Sequence, residues 1–265
     1  MTTELLEFKN KKGNILRGVL VSPDNVENNH VVIMLGGFER AATTERKFKA
    51  LADALVRRGV SSFRFDVTDV GLSDGNFYDT TTQTMSDDLS AAINVIGGLG
   101  FKRVSFVGHS HAASTLSLIL KDVDFSKIVL LAPGTNQQGL WQMWFVKVKN
   151  PGIDINFSNY KNYFNEEEYR KTLDDISWTD SMTASHALSP ELRKVNSFID
   201  YADNYKDCPP GKILIIHGTN DSLCPAETVN INTPNKIMVK GGDHDMEKPE
   251  QLNQWLTSAV DFLTH

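Results

Sequence analysis

Ser110 sits between two histidines in the stretch FVGHSHAAS (106–114), straight after an apolar run and just before a run of small residues. A serine hydroxyl is a poor nucleophile near pH 7 and reacts only when a base takes its proton. Two further groups stand in comparable places. Asp221 follows the apolar run ILIIHG, and His244 follows IMVKGG. A fourth run, VVIML, ends in Gly36, Gly37 and Phe38. A nucleophile, an acid, a base and a glycine-rich loop are what acyl transfer needs, with the histidine moving the proton and the aspartate holding its tautomer. The question is whether the chain folds so that these four meet.

The elements between them are legible. ILRGVLVSPD (15–24) and HVVIMLGG (30–37) read as strands, the second apolar enough to be buried on both faces. In 43–59, Phe48, Leu51, Ala52, Leu55 and Val56 recur at helical spacing, and Gly59 stops the run. VSSFRFD then predicts a strand and 81–97 a helix, with Met85, Leu89, Ala92, Ile93 and Ile96 on one face. RVSFVG, KIVLLAP (127–133), KILIIHG (212–218) and KIMVKGG (236–242) predict further strands, HAASTLSLIL a helix, and 249–264 a closing helix. Strands alternating with helices predict an α/β fold, a mostly parallel sheet flanked by helices on both sides. In such a sheet, ligands gather beyond the carboxyl ends of the strands, where all four features lie.

Residues 135–205 break the alternation. They are rich in Trp, Tyr and Phe but hold few runs that could form core strands, and seventy such residues are too many for a plain loop. The reading is a core of 1–134 and 206–265 with an inserted, partly helical cap over 135–205. NEEEYRKTLDD (165–175) reads as a solvated helical face of that cap.

A net charge of −6 without a basic stripe argues against nucleic acid or an anionic membrane as partner. The first residues lack the basic and apolar segments of a signal peptide, and no apolar run is long enough to span a bilayer. Cys208 and Cys224 could pair, but without signs of secretion they read as free thiols in a reducing compartment. The chain is therefore expected to be cytoplasmic. No dinucleotide fingerprint or P-loop is present, so no cofactor is expected.

The four features together resemble the α/β-hydrolases, and most closely their capped serine carboxylesterases of the cinnamoyl or feruloyl esterase kind. GHSHA resembles the nucleophile elbow G-x-S-x-G, with Ala112 in the last position. HGTNDSLCP (217–225) matches the H-G-x-x-D-x-x-V-P acid turn, with Cys224 where valine is common, and GGDH (241–244) resembles the histidine turn. FRFDVTDVGLSDG (63–75) resembles the F-D-x-R-G-x-G-x-S-x-G segment, Asp69 standing where arginine or its glycine neighbour is common. The resemblance covers the core and is silent over most of the cap.

It implies an inserted cap on an α/β-hydrolase core, Ser110, Asp221 and His244 as the catalytic triad, and an oxyanion hole formed by the backbone N–H groups of Phe38 and His111. Such donors are typically worth roughly 3–4 kcal/mol each in the transition state. The family commonly has His-Gly before the oxyanion residue, where this chain has Gly36-Gly37. The expected substrate is a small-molecule carboxylic ester, with aryl esters such as feruloyl esters implied by the resemblance. An acyl thioesterase would use the same residues, and a non-catalytic binding protein on the same fold is the reading from another class.

Other residues carry two readings each. Trp141 and Trp144 either line the substrate pocket or form the cap's core. Arg40, with Glu39, either meets a polar group of the substrate or forms a solvated pair. His109 and His111, two residues apart across a tight turn, point apart, so no metal site is expected. His109 is expected beneath the elbow and His217 within the acid turn. Asp243 is expected as a turn residue, and His186 at the cap surface.

Overall fold

The structure, a computed structural model, describes residues 1–24, 29–173 and 188–265. Eight strands form one open sheet in the order β1-β2-β4-β3-β5-β6-β7-β8. They are β1 Thr2–Lys9, β2 Ile15–Ser22, β3 His30–Leu35, β4 Ser61–Phe65, β5 Arg103–His109, β6 Ile128–Leu131, β7 Ile213–Gly218 and β8 Asn235–Val239. From β4 to β8 every pairing is parallel, while β1 and β2 run antiparallel at one edge.

Strands β3, β6 and β7 are buried along their whole length, which is why they read as apolar runs, whereas buried β4 carries Ser61, Ser62 and Arg64 beside its phenylalanines. Strand β1 gave no such signal. It is an edge strand with only Phe8 fully buried, so its composition is that of a solvated segment. Its turn to β2 is held by Asn10, whose Oδ1 accepts the N–H groups of Lys12 and Asn14, with Gly13 at φ 88°.

Helices α1 (Arg46–Arg57) and α7 (Pro249–Thr264) cover one face of the sheet, with Phe48, Leu51, Leu55, Trp255 and Leu263 packed against Val32, Val107, Val129 and Ile216. Helices α2 (Thr82–Gly98) and α3 (Ala112–Ser117) cover the other, Leu89, Ala92, Ile96 and Leu116 meeting Ile33, Phe63 and Phe106. Helix α3 is shorter than the 111–120 expected. After Ser117 the N–H groups of Leu118 and Ile119 bond three residues back, and Ser117 Oγ bonds the Ser114 carbonyl, so the helix tightens and stops.

Residues 135–205 contain α4 (Gln137–Lys149), α5 (Glu166–Lys171) and α6 (Pro190–Asn196), and no strand among those described. Leu140, Trp141, Phe145, Tyr169 and Leu192 belong to the same buried cluster as Phe63 and Phe106 of the sheet. These aromatics thus extend the core on that face, with no separate core of their own. Trp178 and His186 lie outside the described residues. No described helix is long and apolar enough to cross a membrane.

Candidate active site

Strand β5 delivers Ser110 on a sharp turn. Its φ of 55° is a left-handed conformation that a residue with a side chain adopts only under constraint. The constraint is visible: Ser110 N–H donates to the Leu131 carbonyl at 2.9 Å, and its carbonyl accepts from Gly134 N–H at 3.0 Å. The turn also needs small neighbours. A Cβ on Gly108 would lie 3.2 Å from Ala112 Cβ and 2.6 Å from Leu116 Cδ1, so Ala112 fits because Gly108 has no side chain.

His244 follows β8, and its imidazole bridges the other two groups. Nε2 is 2.9 Å from Ser110 Oγ and Nδ1 is 2.8 Å from Asp221 Oδ2. Asp221, after β7, has its other oxygen bonded by the N–H groups of Leu223 at 3.0 Å and Cys224 at 2.9 Å. Burial alone would raise this carboxyl's pKa. The hydrogen bonds from His217, His244 and the Cys224 backbone outweigh burial and hold it well below the usual carboxylate range. Asp221 therefore stays charged, able to fix the His244 tautomer with a proton on Nδ1. Ser110 itself is only 8% exposed.

The loop after β3 closes on the serine. A Cβ on Gly37 would stand 3.0 Å from Ser110 Cβ and 3.1 Å from His109 Nδ1, so glycine lets the backbone approach. Phe38 comes next, its ring 5.8 Å edge-on to the His111 ring and 5.3 Å from that of Phe77. The two residues expected as oxyanion donors thus flank the nucleophile. Asp69, also at a left-handed φ of 56°, accepts the Phe77 N–H at 2.8 Å and so supports this aromatic contact from below.

His109 and His111 point to opposite sides. His109 is fully buried and donates from Nε2 to the backbone carbonyl of His244 at 2.9 Å, and burial pushes its pKa well below the ordinary value. His111 enters a polar cluster with Thr82 at 3.2 Å, and Thr82 in turn donates to Asn196 of α6 at 3.0 Å. Burial lowers the His111 pKa to about 4 against a side-chain hydrogen bond with Gln137 that favours the charged ring. His217 bonds the Cys224 carbonyl at 2.7 Å and stands 3.3 Å from Asp221 Oδ2, inside the acid turn. Asp243 accepts from Met246 N–H and pairs with Lys248 in its own turn.

Trp141 is buried and donates to Gln137 Oε1 at 3.2 Å, with Trp144 edge-on at 5.5 Å. Arg40 lies on the loop after β3. Its guanidinium pairs with Glu45 at 2.9 Å and with Asp245 at 2.7 Å. Lys47, fully buried, joins the same group through Glu45 at 2.9 Å and Glu247 at 3.1 Å. Sequence reasoning missed Glu45, Lys47, Asp245 and the Thr82–Asn196 cluster, because Lys47, Asp245 and Thr82 matter through partners far along the chain and Glu45 through the group they complete. One signal was available: Lys47 lies a turn before Leu51 on the apolar side of α1. Glu45, His109 and Asp245 bring one possible ligand atom each within 4.8 Å of one another, but Arg40 and Lys47 already occupy the carboxylates.

An open, mostly parallel sheet with a serine elbow after its central strand defines the α/β-hydrolase class. A family model described as serine aminopeptidase, S33, matches residues 27–237, and the chain belongs to that hydrolase family. It is similar in fold to Est1E from Butyrivibrio proteoclasticus, with 17% identity, a TM-score of 0.68, and 98% of this chain and 97% of that chain covered. A structure of Est1E with ferulic acid bound is likewise similar, at 18% identity and a TM-score of 0.66, covering 98% of this chain and 96% of that one. Mouse α/β-hydrolase domain-containing protein 10 shares 16% identity over 98% of both chains at a TM-score of 0.71. An esterase from Pyrococcus furiosus shares 18% identity at a TM-score of 0.65, covering 99% of this chain and 90% of that one. A comparison with curated proteins finds no match.

Proposed function

We propose that the protein is a serine hydrolase of carboxylic esters, working through a covalent acyl-enzyme on small to medium acyl or aryl esters. The observation that carries this reading is the hydrogen-bonded chain Ser110–His244–Asp221, at 2.9 and 2.8 Å, with the serine held on its elbow. Ser110 Oγ attacks the ester carbonyl carbon as His244 Nε2 takes its proton. The negative charge that develops on the carbonyl oxygen is met by the N–H groups of Phe38 and His111. The imidazolium, stabilised by Asp221, then protonates the departing alkoxide. Water repeats the sequence on the acyl-enzyme and frees the acid.

Aryl esters are favoured among substrates by the Est1E likeness, since that protein is described with ferulic acid bound. Trp141 and Trp144 are proposed as pocket residues on the same ground. The two free cysteines agree with a cytoplasmic setting, which we include in the proposal. Purified protein and its Ser110→Ala variant should be compared on p-nitrophenyl butyrate, methyl ferulate and an aminoacyl p-nitroanilide. We expect ester turnover that falls by at least about a thousandfold in the variant, with little or no anilide cleavage. Ester turnover that survives in Ser110→Ala removes the proposal. Preference for the anilide moves the substrate from esters to peptides.

A further inference from the structure

We propose that Arg40 is a positioning residue, whose ion pairs to Glu45 and Asp245 fix the loop carrying the Phe38 N–H against the loop carrying His244. The role rests on the ester-hydrolase reading above. Gly36 follows the last residue of β3. A Cβ there would lie 2.0 Å from the Arg40 carbonyl oxygen, so the loop doubles back onto the end of β3 and leaves no room for a side chain at that position. The turn is closed by Arg40 N–H on the Gly37 carbonyl at 3.1 Å, with Glu39 in a left-handed conformation at φ 56°. Phe38 rides on this turn, and nothing at position 36 can brace it.

The side chain that reaches across is that of Arg40. Its Nε bonds Glu45 Oε1 at 2.9 Å, which secures the loop to the start of α1, and its Nη2 bonds Asp245 Oδ1 at 2.7 Å. Asp245 is the neighbour of His244 in the chain. Behind this clasp, buried Lys47 pairs with Glu45 and with Glu247, so α1 grips both loops at once. His109 bonds the His244 carbonyl from beneath at 2.9 Å. The base is thus placed from three sides: Asp221 on its ring, His109 on its carbonyl, and Arg40 through its neighbour.

Both Arg40 and Asp245 are 45% exposed, and exposed pairs contribute little to stability. Loss of the clasp is therefore expected to move geometry more than melting temperature. A displacement on the order of 1 Å at a reacting centre lowers rate about a hundredfold. The test compares wild type with Arg40→Ala, Asp245→Ala, the double variant and Arg40→Lys on p-nitrophenyl butyrate. Arg46→Ala, on the exposed surface near the clasp, serves as control. We expect each single alanine variant to lower kcat about tenfold to a hundredfold with KM within about twofold. The double variant should be no worse than the worse single one, and Arg40→Lys should recover only part, since an ammonium lacks the planar fork that reaches two carboxylates. A raised KM at constant kcat makes Arg40 a substrate contact and overturns the proposal, as does an unchanged kcat.

Amide hydrogen exchange reads the clasp without turnover. Arg40→Ala should speed exchange in both 36–41 and 243–248 while the sheet stays protected. Faster exchange in the first segment alone, or in neither, overturns the coupling. A wild type without ester turnover whose two segments still respond together refutes the ester reading and leaves the clasp standing.

Discussion

At the scale of single residues, charge is managed by burial and by donors. Asp221 keeps its charge because backbone N–H groups hold one oxygen and histidines approach the other. His111 shows the opposite balance. Its ring is buried among Thr82, Gln137 and Phe38, no anion pairs with it in the contacts described, and its pKa falls to about 4. The sign of the consequence is fixed. The unfolded chain takes up this proton near pH 6.5 and the folded one only near 4, so stability declines as pH falls through that interval and levels off below it. The full effect for one such group is about 3 kcal/mol. Denaturant midpoints between pH 7 and 4.5 should therefore fall more steeply for wild type than for His111→Gln. Equal slopes would refute the assignment.

Between elements, the decisive contacts are made by loops that end strands. The sheet presents Phe38, Ser110, Asp221 and His244 at four carboxyl ends, while α1 and α7 hold two of those loops from behind. Trp255 of α7 is fully buried and donates to the Met246 carbonyl at 3.3 Å, pinning the segment after His244. The loop after β3 depends on its glycines. In Gly36→Ala the new methyl would meet the Arg40 carbonyl, a backbone atom that cannot swing aside as a side-chain end can. We expect this variant to lower kcat by about a hundredfold and stability by about 1–3 kcal/mol, the usual range for forced overpacking. Wild-type kcat in Gly36→Ala would show that the loop tolerates another path.

For the molecule as a whole, the described residues of 135–205 share the core of the sheet. Trp141, Phe145 and Tyr169 share a cluster with the sheet, Tyr205 donates to the Ala113 carbonyl at 2.6 Å, and Asn196 accepts from Thr82 at 3.0 Å. A segment bonded in this way is expected to unfold with the sheet. Three of the four tryptophans, Trp141, Trp144 and Trp178, lie within 135–205, so fluorescence weights that region while far-UV circular dichroism weights sheet and helices. Denaturant transitions followed by the two signals should coincide within error. An earlier fluorescence transition would mean that residues 135–205 melt separately.

The sequence by itself determined the alternation of strands and helices, since buried parallel strands must be apolar on both faces and covering helices on one. It also determined which residue types stand at the strand ends, because the turns around Ser110, Asp221 and His244 need their glycines and small neighbours close by in the chain. It did not show β1, whose open face leaves no apolar pattern, or the early end of α3, which depends on serine hydroxyls competing for backbone carbonyls. Nor did it show the partners of Arg40. Asp245 lies 205 residues away along the chain, and no local periodicity can report a contact made only when the loops after β3 and β8 meet above the sheet. Tertiary structure alone decided that Lys47 is buried between two glutamates and that Trp141, Phe145 and Tyr169 join the sheet's core. Local chemistry is written in neighbouring residues, whereas charge pairing and shared burial depend on distances that exist only after the chain has folded.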